Sequence, residues 1–266
     1  MATRAPRHSL LHNLQVTRRI ISALLVREML TRFGRHNIGF LWLFVEPMMF
    51  TLGVTALWTA TKSAHGSDLP IIAFALTGYS SVLLWRNMPG RCIGALWNNL
   101  SLMYHRSIKV LDIYIARLLL EFGGATISFM GLGILFIAVA DLDAPQDFLK
   151  VVAGWLLLAW FGVALAILLG ALSHESELVD KLWHPFSYIL FPLSGAAFMV
   201  DALPKVAQNV VLYIPTVHGV EFVRDGWFGS QARAHYDLGY LITVNLVLSV
   251  AGLIAVRWVA ARVVPE

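Results

Sequence analysis

The sequence predicts an all-α membrane protein with six transmembrane helices, and three observations carry that prediction. Of 266 residues, 58% are hydrophobic and only 14% charged, where soluble domains run near 45–50% and about 25%. Apolar runs of roughly 20 residues, the length a hydrocarbon core of about 30 Å demands, recur along the chain. Lys and Arg are distributed unevenly between alternate connections. Mean hydropathy is +0.70. A soluble fold could not hide so much apolar surface, because roughly a quarter of the unfolded chain's surface stays wet even in a large domain. A free soluble enzyme, a disordered protein and a disulfide-built secreted domain are therefore excluded.

The elements follow in order. Residues 1–37 read as a cytosolic N-terminus, and 38–266 as a single transmembrane domain. Within the first part, Leu10–Phe33 looks helical, with Leu10, Leu14, Ile21, Leu25 and Met29 at helical spacing and Arg18, Ser22, Arg27 and Arg32 elsewhere around the cylinder. A basic amphipathic helix before a span lies in the interface, as a lipid anchor or as a docking surface for a cytosolic subunit. The spans are Ile38–Ala60, Pro70–Met88, Ile113–Ala140, Phe148–Leu172, Pro185–Leu203 and Leu238–Val259. Between spans two and three, Ser101–Asp112 is short, apolar and basic, fit for a helix against a partner or on the bilayer. Between spans five and six, Lys205–Ile214 and Val217–Gly226 are apolar but too short to cross, about 15 Å each. With Pro215 dividing them they predict a re-entrant external hairpin, tolerated where protein or water satisfies the broken backbone. Thr216 is a candidate cap for the second helix, and His218, Glu221 and Arg224 share a face.

Fifteen of the twenty Lys and Arg fall on the side that holds the N-terminus, which places both termini in the cytosol. The net charge of +4 is thereby read as topology and not as nucleic-acid affinity. Arg18 and Arg19 break any signal-peptide core. Cys92 is the single cysteine, so no intrachain disulfide forms.

Polar groups inside spans are few. Glu46 should be protonated, partnered or pore-facing, since an ionised carboxylate in lipid costs a few kcal/mol. Pro47 should bend span one and Pro192 should kink span five. Arg117 and Glu121 have the spacing of an i,i+4 pair. Tyr79, Ser80, Ser81, Thr126, Ser128, Tyr188 and Ser194 line a polar path or glue helices together. Trp42, Trp58, Trp85, Trp97, Trp183, Trp227 and Trp258 fall near span ends as an interfacial belt. No phosphate-binding loop, zinc-protease helix or nucleophile elbow occurs.

Val26–Phe50, VREMLTRFGRHNIGFLWLFVEPMMF, resembles the signature of ABC-2-type permeases that export polysaccharides. It carries Arg27–Glu28, the Thr31-Arg32-Phe33-Gly34 turn, Gly39, Trp42 and Glu46-Pro47. YHRSIKVLDIYIAR (Tyr104–Arg117) and PTVHGVEFVRDGWFG (Pro215–Gly229) are similar to the capsular-polysaccharide branch. The resemblance covers essentially the whole chain. It implies a non-enzymatic inner-membrane permease that pairs as a homodimer around a conduit. Two copies of a cytosolic ATPase subunit bind below it, holding ATP and Mg; no cofactor is expected in this chain. The substrate is a lipid-linked polysaccharide, passed on to periplasmic and outer-membrane partners. Arg27, Glu28, Arg32, Tyr104, His105, Arg106 and Lys109 are then assigned to ATPase docking. Trp42, Glu46, Pro47, Tyr79 and Tyr188 are assigned to the conduit or the helix-one kink, and Pro215, His218, Glu221 and Arg224 to an external gate. O-antigen or teichoic-acid export is the alternative within the family, and a membrane glycan-lipid transferase the alternative outside it.

Overall fold

The computed structural model describes residues 10–33, 37–61, 69–103, 108–140 and 142–263. Among them lie ten α-helices, three short 3-10 turns and no strand. The helices are α1 (Leu10–Phe33), α2 (Asn37–Thr61), α3 (Ile71–Cys92), α4 (Leu100–Met103), α5 (Val110–Val139), α6 (Phe148–Glu175), α7 (Glu177–Leu193), α8 (Lys205–Val211), α9 (Pro215–Phe228) and α10 (Leu238–Val263).

Four helices are long and apolar enough to cross a membrane: α2 over Leu41–Ala60, α5, α6 and α10 over Leu238–Arg262. The two other expected spans, α3 and α7, do not meet that measure. For α3 the reason is its position at the centre of the bundle, packed against α2, α5, α6 and α9. Every residue from Ala73 to Trp85 is buried, so protein and not lipid walls it, and polar side chains are tolerated. Thr77 and Ser81 donate to backbone carbonyls four residues back, at 2.8 and 2.6 Å.

α7 departs from the sequence reading at both ends. It begins at Glu177, eight residues before the expected Pro185, because the Ser176 hydroxyl caps it by accepting from Leu178 N–H at 3.3 Å. Glu177 and Asp180 suit the positive end of its dipole. It stops at Leu193, ten residues before the expected Leu203. Pro192 therefore ends the helix and does not kink it, and Gly195 turns the chain with φ of +87°. Seventeen residues span only about 25 Å. At Pro47, by contrast, α2 continues as unbroken helix.

The tryptophan belt is also corrected. Trp85, Trp183 and Trp227 are buried at 1%, 6% and 5% exposure; Trp42, Trp97 and Trp258 remain exposed. A large ring earns more from packing on α3, α6 and α9 than from an interface position when the helix bearing it is interior. Hydroxyls do join helices: Ser128 on α5 donates to Phe44 O on α2 at 2.5 Å, and Thr126 accepts from Trp155 Nε1 at 3.0 Å.

α6 packs on α3 and α9 through glycines spaced by eight, and on α10 where Gly252 of that helix meets Ile167. Eight residues advance about 80° around a helix, so the contact moves from α9 to α3 and then to the junction of α3 with α5. Gly154 lies against Val223 of α9, Gly162 against Trp85 and Met88 of α3, and Gly170 against Cys92 and Tyr114. A Cβ on Gly162 would fall 2.8 Å from Trp85 Cα, which is backbone and cannot step aside. Gly162→Leu should therefore cost at least about 1–3 kcal/mol, read as a lowered thermal midpoint in detergent. Gly131→Leu, where nothing lies within 4 Å, should leave that midpoint unchanged.

Candidate functional site

Three groups of polar side chains stand out, and each is built by tertiary packing. The first is a charged collar where α1 meets α5. The inward line of α1 is Thr17, Ile20, Leu24 and Glu28, with Leu24 most buried at 8%. The predicted stripe of Ile21, Leu25 and Met29 flanks it, and the side chains of Leu10 and Leu14 lie outside the described residues. Glu28 pairs with Arg117 of α5 at 3.2 Å. Arg32 pairs with Glu121, which also receives Arg91 Nε of α3 at 2.8 Å. Arg27 donates to Asn99 Oδ1 at 2.6 Å. Arg117 and Glu121 thus do not pair with each other: both reach out of α5 to α1 and α3. A local i,i+4 pair adds only about 0.3–0.5 kcal/mol, while Glu121, buried at 7%, gains from two cations at once.

The charged ends of Arg27, Glu28 and Arg32 therefore tie α1 to the bundle, while Val16, Val26 and Leu30 face outward. Lys109 is exposed at the start of α5, where its N–H donates to Asp112 Oδ2 at 2.9 Å. Tyr104, His105 and Arg106 lie outside the described residues.

The second group is a set of exposed side chains on α2 and α7, helices that meet where Phe50 packs on Phe191. Trp42 is 52% exposed and Tyr188 68% exposed, and Glu46 is also exposed. Glu46 and Pro47 edge a narrow crevice whose other walls include Arg32, Asn87, Arg91 and Glu121. Tyr79 does not reach this surface. It is buried in an aromatic cluster, with ring centroids 6.0 Å from Phe50, 5.6 Å from Trp58 and 5.7 Å from Phe191. Sequence reasoning missed Phe50, Phe191 and Arg86 here. Arg86 counts by position as part of a basic connection, yet it lies inside α3; its single-residue isolation in an otherwise apolar turn was the available signal.

The third group centres on α9. This helix runs antiparallel to α6, with Gly219 against Leu158, Val223 against Gly154 and Gly226 against Val151. Gly219, in its second turn, thus lies about ten residues, roughly 15 Å, along α6 from the α5–α6 end. Pro215 occupies the first turn and needs no N–H partner. Thr216 makes no cap; its hydroxyl is buried without a partner. His218, Glu221 and Arg224 share a face as expected, but that face is internal: exposure is 3%, 0% and 0%. None of the three lines an opening in this chain.

Their work is to satisfy irregular backbone. The segment after α7 passes Gly78, seven residues into α3, close enough that a Cβ on Gly78 would fall 2.5 Å from Ala196 O and from Arg224 Nη2. There Arg224 Nη1 donates to Gly195 O and Phe198 O, both at 2.6 Å, and Nη2 donates to Ala196 O at 2.7 Å. The guanidinium stacks 3.8 Å above the Phe74 ring. Glu221 accepts from Val200 N–H at 3.2 Å and His235 N–H at 3.0 Å. His218 binds Leu212 O through Nε2 and Asp237 N–H through Nδ1, both at 2.8 Å. At the rim His235 Nε2 meets Asp201 Oδ1 at 3.0 Å, and that hydrogen bond holds the Asp201 carboxyl below its ordinary range.

Long apolar helices around a core that carries polar groups, with the short helix α9 folded back against α6, define a multi-pass membrane protein. Comparison with known proteins specifies which kind. A model of the ABC-2 type transporter family matches residues 19–228, and the chain belongs to that family. It is 40% identical over 254 residues to the capsule polysaccharide export inner-membrane protein CtrC of Neisseria meningitidis serogroup B, covering 96% of each chain. It is 39% identical to BexB of Haemophilus influenzae, which has the same description, again over 96% of each. The polysialic acid transport protein KpsM of Escherichia coli is 26% identical over 91% of this chain and 94% of its own. Members of this family are transport permeases and not enzymes.

Proposed function

We propose that this chain is the membrane subunit of an inner-membrane exporter of lipid-linked capsular polysaccharide, driven by a separate ATPase subunit that holds ATP and Mg. The observation that carries this reading is similarity to capsule export proteins along nearly the full length of both chains. α2, α3, α5, α6, α7 and α10 are the six spans, α3 crossing within the shelter of the others and α7 at their outer edge. The Lys and Arg distribution puts both termini in the cytosol. Residues 1–37 form the cytosolic part and 38–266 the transmembrane domain.

The exposed face of α2 and α7 supports a homodimer around a conduit. Glu46, Trp42 and Tyr188 lie on it, and a carboxylate at that depth needs protein or water and not lipid. α8 and α9 form the external gate, entered at Pro215 and kept in shape by His218, Glu221 and Arg224. The outward face of α1, with Tyr104, His105, Arg106 and Lys109 in the following link, docks the ATPase. Arg27, Glu28 and Arg32 transmit its motion through the collar to α3 and α5. Periplasmic and outer-membrane proteins then receive the chain.

Proteoliposomes holding this chain and its ATPase should export a lipid-linked capsular glycan only with hydrolysable ATP. Export by this chain alone, or with a non-hydrolysable analogue, would overturn the reading. Turnover of the glycan-lipid by the isolated chain would instead support a transferase.

A further inference from the structure

Arg86 is a cation in the interior of α3 that no anion among the described residues answers. Its Nε is buried without a hydrogen-bond partner, and among the described residues no carboxylate lies within ion-pair distance of it. The carboxylates one helix turn away are engaged: Glu121 by Arg32 and Arg91, and Glu28 by Arg117. What holds Arg86 is aromatic. Its guanidinium carbon lies 4.7 Å from the Tyr188 ring centroid and 5.5 Å from that of Phe191. Cation–π contact orients a guanidinium but leaves its planar N–H donors unused.

Position makes this informative. Arg86 lies five residues, roughly 7 Å, along α3 from Arg91 and the collar. That is inside the layer where the paired charges sit. Tyr188, the ring against it, is 68% exposed, so the guanidinium stands one ring from the outer face of α2 and α7. A lone charge at such depth is costly unless it faces water or a counter-charge. Flanked by two rings and unpaired among the described residues, it is preorganised for an anion that arrives from that face. Guanidinium geometry suits two-oxygen groups, phosphate or carboxylate.

We propose that Arg86, presented by Tyr188 and Phe191, is an anion-binding residue that takes a phosphate or carboxylate group at the α2–α7 face. Two sources carry that chemistry: the transported glycolipid, an inference that rests on the export reading, and a phospholipid of the bilayer. The group is held by paired N–H donation to its oxygens, and the aromatic rings keep the donors pointed outward.

The test uses the permease–ATPase complex in nanodiscs of neutral phosphatidylcholine. One arm titrates labelled oligosialic acid, with dextran of matched length as the uncharged control. The other doping arm adds phosphatidic acid, with diacylglycerol as control, and counts retained lipid by native mass spectrometry. Arg86→Gln should weaken one of the anionic probes about tenfold or more, the size of a lost charge-assisted hydrogen bond, with the neutral controls unmoved. Arg86→Lys should restore much of that binding and Tyr188→Leu should weaken it. Loss confined to oligosialic acid assigns the site to the cargo, and loss confined to phosphatidic acid assigns it to bilayer lipid. Equal binding of both anionic probes by wild type and Arg86→Gln, in complexes of equal thermal midpoint, would overturn the proposal. So would parallel loss of charged and neutral probes. Binding is read without transport, so a failure of export would count against the export reading alone.

Discussion

Arg224→Leu should lower stability by about 3 kcal/mol or more, because each buried carbonyl left without its donor costs about 1–3 kcal/mol. Three carbonyls lose their donor together: Gly195 O, Ala196 O and Phe198 O. They belong to a non-helical segment inside the bundle, where water cannot substitute. The stacking of the guanidinium on Phe74 goes as well. The measurement is the denaturation midpoint in mixed micelles, together with the monodisperse fraction after purification. Arg224→Lys should fall between, since an ammonium has donors but not the planar fork. Arg233→Leu, at an exposed position, is the control. A wild-type midpoint for Arg224→Leu would show that water reaches those carbonyls, and that the loop after α7 is not sealed in the bundle.

Glu121→Ala should cost roughly 3–5 kcal/mol, the usual price of removing one member from a buried ion cluster. It takes away the carboxylate that Arg32 of α1 and Arg91 of α3 share. The Glu28–Arg117 pair would still bind α1 to α5 by charge. Faster amide exchange along α1, with α10 unchanged, is the expected signature. On the export reading, ATP hydrolysis should persist while export falls, because the collar is the mechanical link. Glu121→Gln should show the same direction more weakly. Unchanged exchange in α1 would mean that its apolar contacts at Leu24 and Ile20, with Glu28–Arg117 and Arg27–Asn99, hold the helix without Glu121.

These two residues also show where sequence reasoning reached its limit. Arg224 and Glu221 could be placed on one helical face from spacing alone, and they are. Whether that face looks into a conduit or into the bundle is decided by α3 and α6, which are distant in sequence. For Glu121 the tempting partner was local, four residues away. The actual partners come from α1 and α3, eighty-nine and thirty residues away. The expected second span ended at Met88, yet α3 continues past it to Cys92. A helix enclosed by protein need not be apolar throughout, so hydropathy marks its end too early.

The sequence by itself determined that the chain is helical and membrane-embedded, where α1, α2, α5, α6 and α10 begin and end to within a few residues, and which family it resembles. Those properties follow from local terms: apolar length against bilayer thickness, and breaks at Pro, Gly and charge. Only the tertiary structure decided that α3 is the core, that α7 is short, and that His218, Glu221 and Arg224 are internal staples. Burial depends on neighbours supplied from elsewhere in the chain. Once water is excluded, the need to pair every buried carbonyl and charge outweighs the periodicity of any single helix.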